Sequence, residues 1–262
     1  MYKLIVTDMD GTLLNEDNKI EDRVKKSIEY AKEKGIKIIL ASGREYNSIL
    51  PYAKELGATD MLITMNGAMV TDIQGNIIFE EVIDNDVCEN IVQMAMKNDT
   101  FPILFIDNNL YANREEDRLE LFKHYTTSPI HIFKDLKKLS QEKPISKFIL
   151  IDDIEKIKVF QQILKKKFGE KINIDRSKPE ALEIYSKKTD KGLMVQKVAD
   201  YYGIEKEEII AIGDGENDIS MISYAGMGVA MENALEELKK EAQFVTKDNS
   251  NNGVGYAIEK LI

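Results

Sequence analysis

The sequence predicts an α/β protein: a Rossmann-like, mainly parallel sheet core with a second α/β domain inserted into it. Three observations carry this prediction. Short β-branched runs alternate with amphipathic stretches, which is the pattern of βα units. Four of the five prolines (Pro102, Pro129, Pro144 and Pro179) fall within one central stretch that has its own alternation of elements. The first pattern then resumes from Asp190 onward.

In chain order, residues 4–6 form an apolar strand followed by a polar loop. Residues 20–34 read as a helix with Val24, Ile28 and Ala31 on one face, ended by Gly35. Residues 36–41 are a second strand that stops abruptly at Ser42, and residues 60–64 a third. Asp72 to Asn76 resembles a hairpin turn. The inserted domain is expected over residues 83–186, with helices at 84–98 and 153–168 and strands at 103–106, 148–151, 172–174 and 182–185. Residues 1–82 and 187–262 then form the core, adding a helix at 190–202 and strands at 209–212, 227–230 and 244–246.

Of 262 residues, Lys+Arg number 36 and Asp+Glu 46, a net charge of −10. That field repels nucleic acid and anionic membranes, so neither is an expected partner. An anionic substrate would need local positive charge, or a metal, gathered against the net charge. No apolar run approaches the roughly 18 residues of a membrane span, and the first eight residues lack a signal peptide's apolar stretch. Cys88 is the only cysteine, so no intrachain disulfide forms and the chain suits a reducing, cytoplasmic compartment. Two histidines, His124 and His131, cannot build a multi-histidine metal cluster; each reads as an ordinary exposed side chain.

In open α/β sheets, ligands bind at the carboxyl ends of the strands, and four groups are placed there. Asp8-Met9-Asp10-Gly11-Thr12-Leu13 follows the first strand, offering two acids at i and i+2 and a glycine for a sharp turn. Ser42-Gly43-Arg44 follows the second, where a hydroxyl and adjoining N–H groups can cradle an anion or simply cap a helix. Lys191-Gly192 opens a helix after the strand at 182–185. A lysine there opposes the macrodipole, which points to a local acidic partner or to a solvated side chain. Gly213-Asp214-Gly215-Glu216-Asn217-Asp218 follows the strand at 209–212; Asp214 can reach a hard cation of the Mg²⁺ type, while Asn217 and Asp218 open the next helix. Two acids, a hydroxyl, a lysine and a metal carboxylate are the inventory of phosphoryl transfer.

In these four motifs and their order the chain resembles the haloacid dehalogenase superfamily, and within it the Cof-type phosphatases. The resemblance extends to Met65-Asn66-Gly67-Ala68, Ala230-Met231-Glu232-Asn233-Ala234 and Val245-Thr246-Lys247-Asp248-Asn249. It implies that the insert is a cap that chooses the leaving group. It implies that Asp8 attacks phosphorus and becomes the aspartyl-phosphate, while Asp10 protonates the leaving alcohol and then activates water. Ser42 and the Gly43 N–H would hold phosphoryl oxygens, with Arg44 and Asn217 near the substrate, and Lys191 would neutralise charge. Asp8, the Asp10 carbonyl and Asp214 would bind Mg²⁺, with Asp218 in support. Two departures stand out: Ser42 where many relatives have threonine, and Ser250-Asn251-Asn252-Gly253 where an acidic pair often precedes the glycine.

The resulting expectation is a monomeric, cytoplasmic, Mg²⁺-dependent phosphatase of small phosphorylated metabolites, with sugar phosphates as the expected class. A phosphomutase of the same superfamily is the alternative, and a non-hydrolytic phospho-ligand binding or signalling protein a more distant one. Receiver domains also place acids and a lysine around Mg²⁺, but on different strands and in about half this length. Cys88 reads as a packed side chain and Lys165-Lys166-Lys167 as a solvated helix end.

Overall fold

The computed structural model describes residues 1–57, 61–123 and 126–262, and it divides into two units. The first comprises Met1–Phe79 and Asp190–Ile262; the second is Glu80–Thr189.

The chain enters the first unit through β1 (Leu4–Thr7), every residue of which is buried, as a parallel strand covered on both faces must be. Helix α1 (Asp22–Glu33) turns Val24, Ile28 and Ala31 inward and leaves through Gly35 at φ +78°. β2 (Lys37–Ala41) follows, then α2 (Tyr46–Leu56), started by Glu45, whose carboxylate accepts from the Ser48 N–H, and ended by Gly57 in the left-handed region. β3 (Met61–Thr64) pairs antiparallel with β4 (Met69–Asp72), and β5 (Ile77–Glu80) lies beyond it at the sheet edge. Between β4 and β5 the Asp72 carboxylate accepts from the Gln74 and Asn76 N–H groups, which makes the expected turn. The third strand was expected from Asp60, which lies outside the described residues.

The second unit runs α3 (Asn85–Lys97), β6 (Phe101–Ile106), β7 (Asn109–Ala112), α4 (Asp117–Lys123), β8 (Ile130–Ile132), α5 (Leu136–Glu142), β9 (Lys147–Ile151), α6 (Ile154–Phe168), β10 (Ile172–Lys178) and β11 (Ala181–Ser186). Its sheet has the order β10-β11-β9-β6-β7-β8, antiparallel except for β7 with β8. Leu104, Phe148, Leu150, Leu182 and Ile184 on one sheet face pack against Ile91, Val92, Ile157 and Leu164 from the helices. Pro102 lies inside β6 opposite Leu150 of β9, one residue before the pairing with β7 begins at Ile103.

Back in the first unit, α7 (Lys191–Tyr202) is capped by the Asp190 carboxylate, which accepts from Leu193 N–H at 2.8 Å. Then come β12 (Ile209–Gly213), α8 (Ile219–Tyr224), β13 (Met227–Ala230), α9 (Glu236–Glu241), β14 (Phe244–Val245) and α10 (Gly253–Leu261). The sheet order is β14-β13-β12-β1-β2-β3-β4-β5. β1 lies between β12 and β2, parallel to both, with Val6 level with Ala211 and Ile39. The chain therefore builds outward from β1 in opposite directions, and the crevice at the carboxyl ends of β1 and β12 is where such a sheet binds ligands.

One expectation is corrected. Lys191 was grouped with motifs at the strand ends of one sheet, but the strand before it, β11, belongs to the second unit's sheet. Lys191 is the first residue of α7, as the sequence predicts, and it is that helix which positions it. Among the described residues, no helix is long and apolar enough to cross a membrane.

Candidate active site

Asp8 is the first residue past β1, and its N–H continues the ladder to the Ile212 carbonyl at 2.9 Å. Its carboxylate is almost wholly buried. Lys191, fully buried, brings its Nζ to 2.5 Å from Asp8 Oδ1 and 2.6 Å from Asp218 Oδ1. The acidic partner anticipated for a lysine in a first helical turn is thus a pair of carboxylates.

Asp218 spends its second oxygen on the backbone N–H groups of Asp214 and Gly215, both at 3.0 Å, so it anchors the loop between β12 and α8. That anchoring turns Asp214 toward Asp8, and the Thr12 hydroxyl donates to Asp214 Oδ1 at 2.7 Å. Gly11 sits at φ +80°, and a Cβ there would strike the Asp214 carboxylate. Glycine is required twice over, by conformation and by space.

Burial raises the Asp8 pKa well above the usual carboxylate value; the Asp218 charge adds to the rise and Lys191 opposes it. Asp214 is pushed up to about 6, again by burial, against the Thr12 hydrogen bond. Burial also works against the Lys191 charge, but Asp218 and Asp8 outweigh it and hold the ammonium above its ordinary pKa. Three acids against one ammonium leave the cluster short of positive charge.

Asp8, Asp214 and Asp218 can bring one oxygen each within 4.8 Å of one another. An all-oxygen, anionic donor set in which burial disfavours the Asp8 and Asp214 anions suits a hard divalent cation. The residues present therefore fit the group the sequence calls for, although Asp218 already has both oxygens engaged.

Asp10 is set apart from this cluster, its side chain about half exposed. Arg44 grips it with a two-pronged fork: Nε to Oδ2 at 2.8 Å and Nη2 to Oδ1 at 2.5 Å. The Tyr52 ring lies 5.6 Å from the Arg44 guanidinium. The expectation of Arg44 near the substrate thus becomes a direct contact with the other motif acid.

Ser42 is buried, and its Oγ accepts from the Arg44 N–H at 3.1 Å. A Cβ on Gly43 would approach the Asn66 Oδ1 within 2.9 Å, so glycine lets that amide close in. Asn66 Oδ1 in turn accepts from Asn217 Nδ2 at 2.9 Å. Met65, Asn66 and Gly67 all have positive φ, and a Cβ on Gly67 would collide with the Asp190 carbonyl. This contorted turn packs the β3 loop against the start of α7 and lines up Gly43, Asn66 and Asn217.

Sequence reasoning left Thr12 and Asn66 without roles. Thr12 stood inside the first motif, but its partner is 202 residues away. Asn66 carried only an Asn-Gly signal for positive φ. Elsewhere, Cys88 is buried and burial pushes its thiol up to about 12, which makes it a poor nucleophile. His131 is exposed and lies 5.3 Å from the Tyr111 ring; His124 is outside the described residues.

Residues 5–258 match the family of haloacid dehalogenase-like hydrolases. YxeH of Bacillus subtilis is 34% identical, with 100% of this chain aligned to 99% of that protein. The 5-amino-6-(5-phospho-D-ribitylamino)uracil phosphatase YwtE of the same organism is 29% identical, with 99% of this chain and 98% of that protein covered. Among solved structures, TM0651 from Thermotoga maritima superposes with a TM-score of 0.91 at 31% identity, covering 100% of this chain and 98% of that one. A haloacid dehalogenase-like hydrolase from Bacteroides thetaiotaomicron gives a TM-score of 0.89 at 32% identity over the full length of both chains.

Proposed function

We propose a reaction for this chain, which belongs to the haloacid dehalogenase-like hydrolases and is one of their phosphatases: Mg²⁺-dependent hydrolysis of small phosphorylated metabolites through an aspartyl-phosphate on Asp8. The observation that carries it is the buried Asp8 carboxylate, held through Oδ1 by Lys191 at the end of β1, with a second acid two residues on.

The Asp8 oxygen not held by Lys191 attacks phosphorus, and the bond to the leaving oxygen breaks. Asp10 gives that oxygen its proton. Water then attacks the aspartyl-phosphate, Asp10 takes the water's proton, and Asp8 is released with inorganic phosphate. One acid serves in both directions, as microscopic reversal of its role allows. Lys191 stays ionised throughout and offsets charge on Asp8 and the phosphoryl oxygens. The Ser42 hydroxyl, the Gly43 N–H and the Asn217 amide orient those oxygens. Arg44 keeps the Asp10 carboxylate in one orientation through its fork.

Asp8, the Asp10 carbonyl and Asp214 would hold Mg²⁺, with Asp218 supporting, and the bound ion supplies charge neutralisation for the phosphoryl oxygens. The Glu80–Thr189 unit serves as the cap that selects the leaving group. YwtE acts on a phosphorylated ribityl chain, which supports sugar and polyol phosphates as the substrate class. The single, buried cysteine supports a cytoplasmic setting, and the protein acts there as a monomer.

The test is phosphate release from a panel of phosphorylated metabolites with Mg²⁺, wild type against Asp8→Asn. Release that depends on both the ion and Asp8 supports the reading, and the ranking of compounds names the substrate. No release above the variant from any compound overturns it.

A further inference from the structure

Two stretches shared with the family by resemblance, residues 230–234 and 245–249, have no part in the reaction above, and each contains an asparagine that reaches the loop carrying Asp10. Asn233 Nδ2 donates to the Gly11 carbonyl at 2.8 Å. Asn249 Nδ2 donates to the Leu14 carbonyl at 2.8 Å. The two are joined, because the Asn249 N–H donates to Asn233 Oδ1 at 3.2 Å. The amide orientation follows from chemistry: a carbonyl can only accept and an N–H can only donate, so each end of the Asn233 amide has one possible partner.

The loop thus bridged is closed on itself. Thr12 and Leu14 both donate N–H groups to the Met9 carbonyl, at 3.3 and 2.9 Å, and Asp10 lies opposite Leu14 across a single β-bridge. Gly11 follows Asp10 and Leu14 is bridged to it, so the two carbonyls held by asparagine belong to the two residues next to Asp10 in chain and in bridge. The brace is itself fastened to the metal-site loop, since the Leu235 N–H donates to the Asp214 carbonyl at 3.1 Å. An uncharged side-chain amide accepts at one end and donates at the other, as Asn233 does.

We infer that Asn233 and Asn249 form one brace that sets the direction of Asp10, and so are positioning residues for its acid–base work. The inference rests on the proposed phosphatase reaction. A carboxyl group displaced by about 1 Å can lose on the order of a hundredfold in rate, and here the loss falls on the step that needs its proton.

Two phosphate esters separate this role from a structural one. The phenolate leaving phenyl phosphate resembles the tyrosine side chain, with a pKa near 10, and needs a proton as it departs. The p-nitrophenolate leaving group does not. In Asn233→Ala and in Asn249→Ala, kcat/KM for phenyl phosphate should fall roughly 10- to 100-fold while that for p-nitrophenyl phosphate changes by less than about threefold. The double variant should be no worse than the poorer single variant, as members of one brace are not additive. A parallel loss on both esters, or phenyl phosphate turnover within about twofold of wild type in both single variants, overturns the inference. Wild-type failure on every phosphate ester of the panel, p-nitrophenyl phosphate included, would instead sink the phosphatase reaction, and the brace's role with it.

Discussion

Replacing Asp214 by asparagine should change how the metal-free protein responds to pH. Its carboxyl titrates at about 6 when folded, against 3.8 for the exposed group, because burial disfavours the anion. Between those values the folded chain binds more protons than the unfolded one, so this group's contribution to stability falls as pH rises from about 4 to about 6. The shift corresponds to an upper bound of about 3 kcal/mol. Asp8, raised for the same reason, works in the same direction. Asparagine keeps an oxygen for the Thr12 hydroxyl and carries no charge, so it removes the penalty with little change in packing. Urea unfolding in a chelator, followed by circular dichroism, should find Asp214→Asn gaining on wild type by up to about 3 kcal/mol between about pH 4 and about pH 7.5. Added Mg²⁺ should stabilise wild type more at the higher pH, where no proton has to be displaced, and should do little for the variant. A stability gap that stays constant across this range would refute the reasoning.

Lys191→Met leaves Asp8 and Asp218 buried without their shared cation, and should lower unfolding free energy in urea by roughly 3–5 kcal/mol and abolish phosphate release. Arg44→Ala breaks a pair whose side chains are 26% and 53% exposed, so stability should change by less than about 1 kcal/mol. Its kcat/KM on phenyl phosphate should nevertheless fall about tenfold, because Asp10 loses its orientation. Inorganic phosphate should bind, by calorimetry, at least about a hundredfold more weakly in chelator than with Mg²⁺, and reciprocally phosphate should tighten Mg²⁺.

Much of the fold was legible because strands in a parallel sheet are short, apolar and followed at once by polar loops. That made Asp8, Ser42 and Asp214 visible as strand-end residues. Helix α2 was hidden because Pro51 interrupts its pattern, and α10 because Gly253 and Gly255 open it. The placement of Lys191 at the start of α7 was legible, but its partners Asp8 and Asp218, 183 and 27 residues away, were not. Contacts across long separations were equally silent: Thr12 with Asp214, Arg44 with Asp10, Asn249 with Leu14. Sequence patterning reports which residue types sit at a strand end, whereas the partner of each is decided by topology.

Charge links the composition to the chemistry. A chain with a net charge of −10 has gathered three carboxylates, Asp8 and Asp218 buried on one lysine and Asp214 half-buried beside them, at the position where a phosphate dianion would bind. Left alone, that cluster repels the substrate; burial is what chiefly raises the Asp8 and Asp214 carboxyl pKa values, and the Asp218 charge adds to both. Protonating the acids would relieve the repulsion but would also silence Asp8 as a nucleophile. A divalent cation relieves it and leaves Asp8 ionised. Lys191 cannot do this alone, since its one charge is already divided between Asp8 and Asp218. The fork of Arg44 makes the parallel point for Asp10, whose charge is matched locally and so adds little to the repulsion at the cluster. The two motif acids, separated by a single residue, thus face opposite electrostatic surroundings, one buried against other acids and one half-exposed against a guanidinium. On the proposed reaction the first setting suits a nucleophile beside a metal, and the second, a carboxylate held by its guanidinium, suits a base that takes the water's proton.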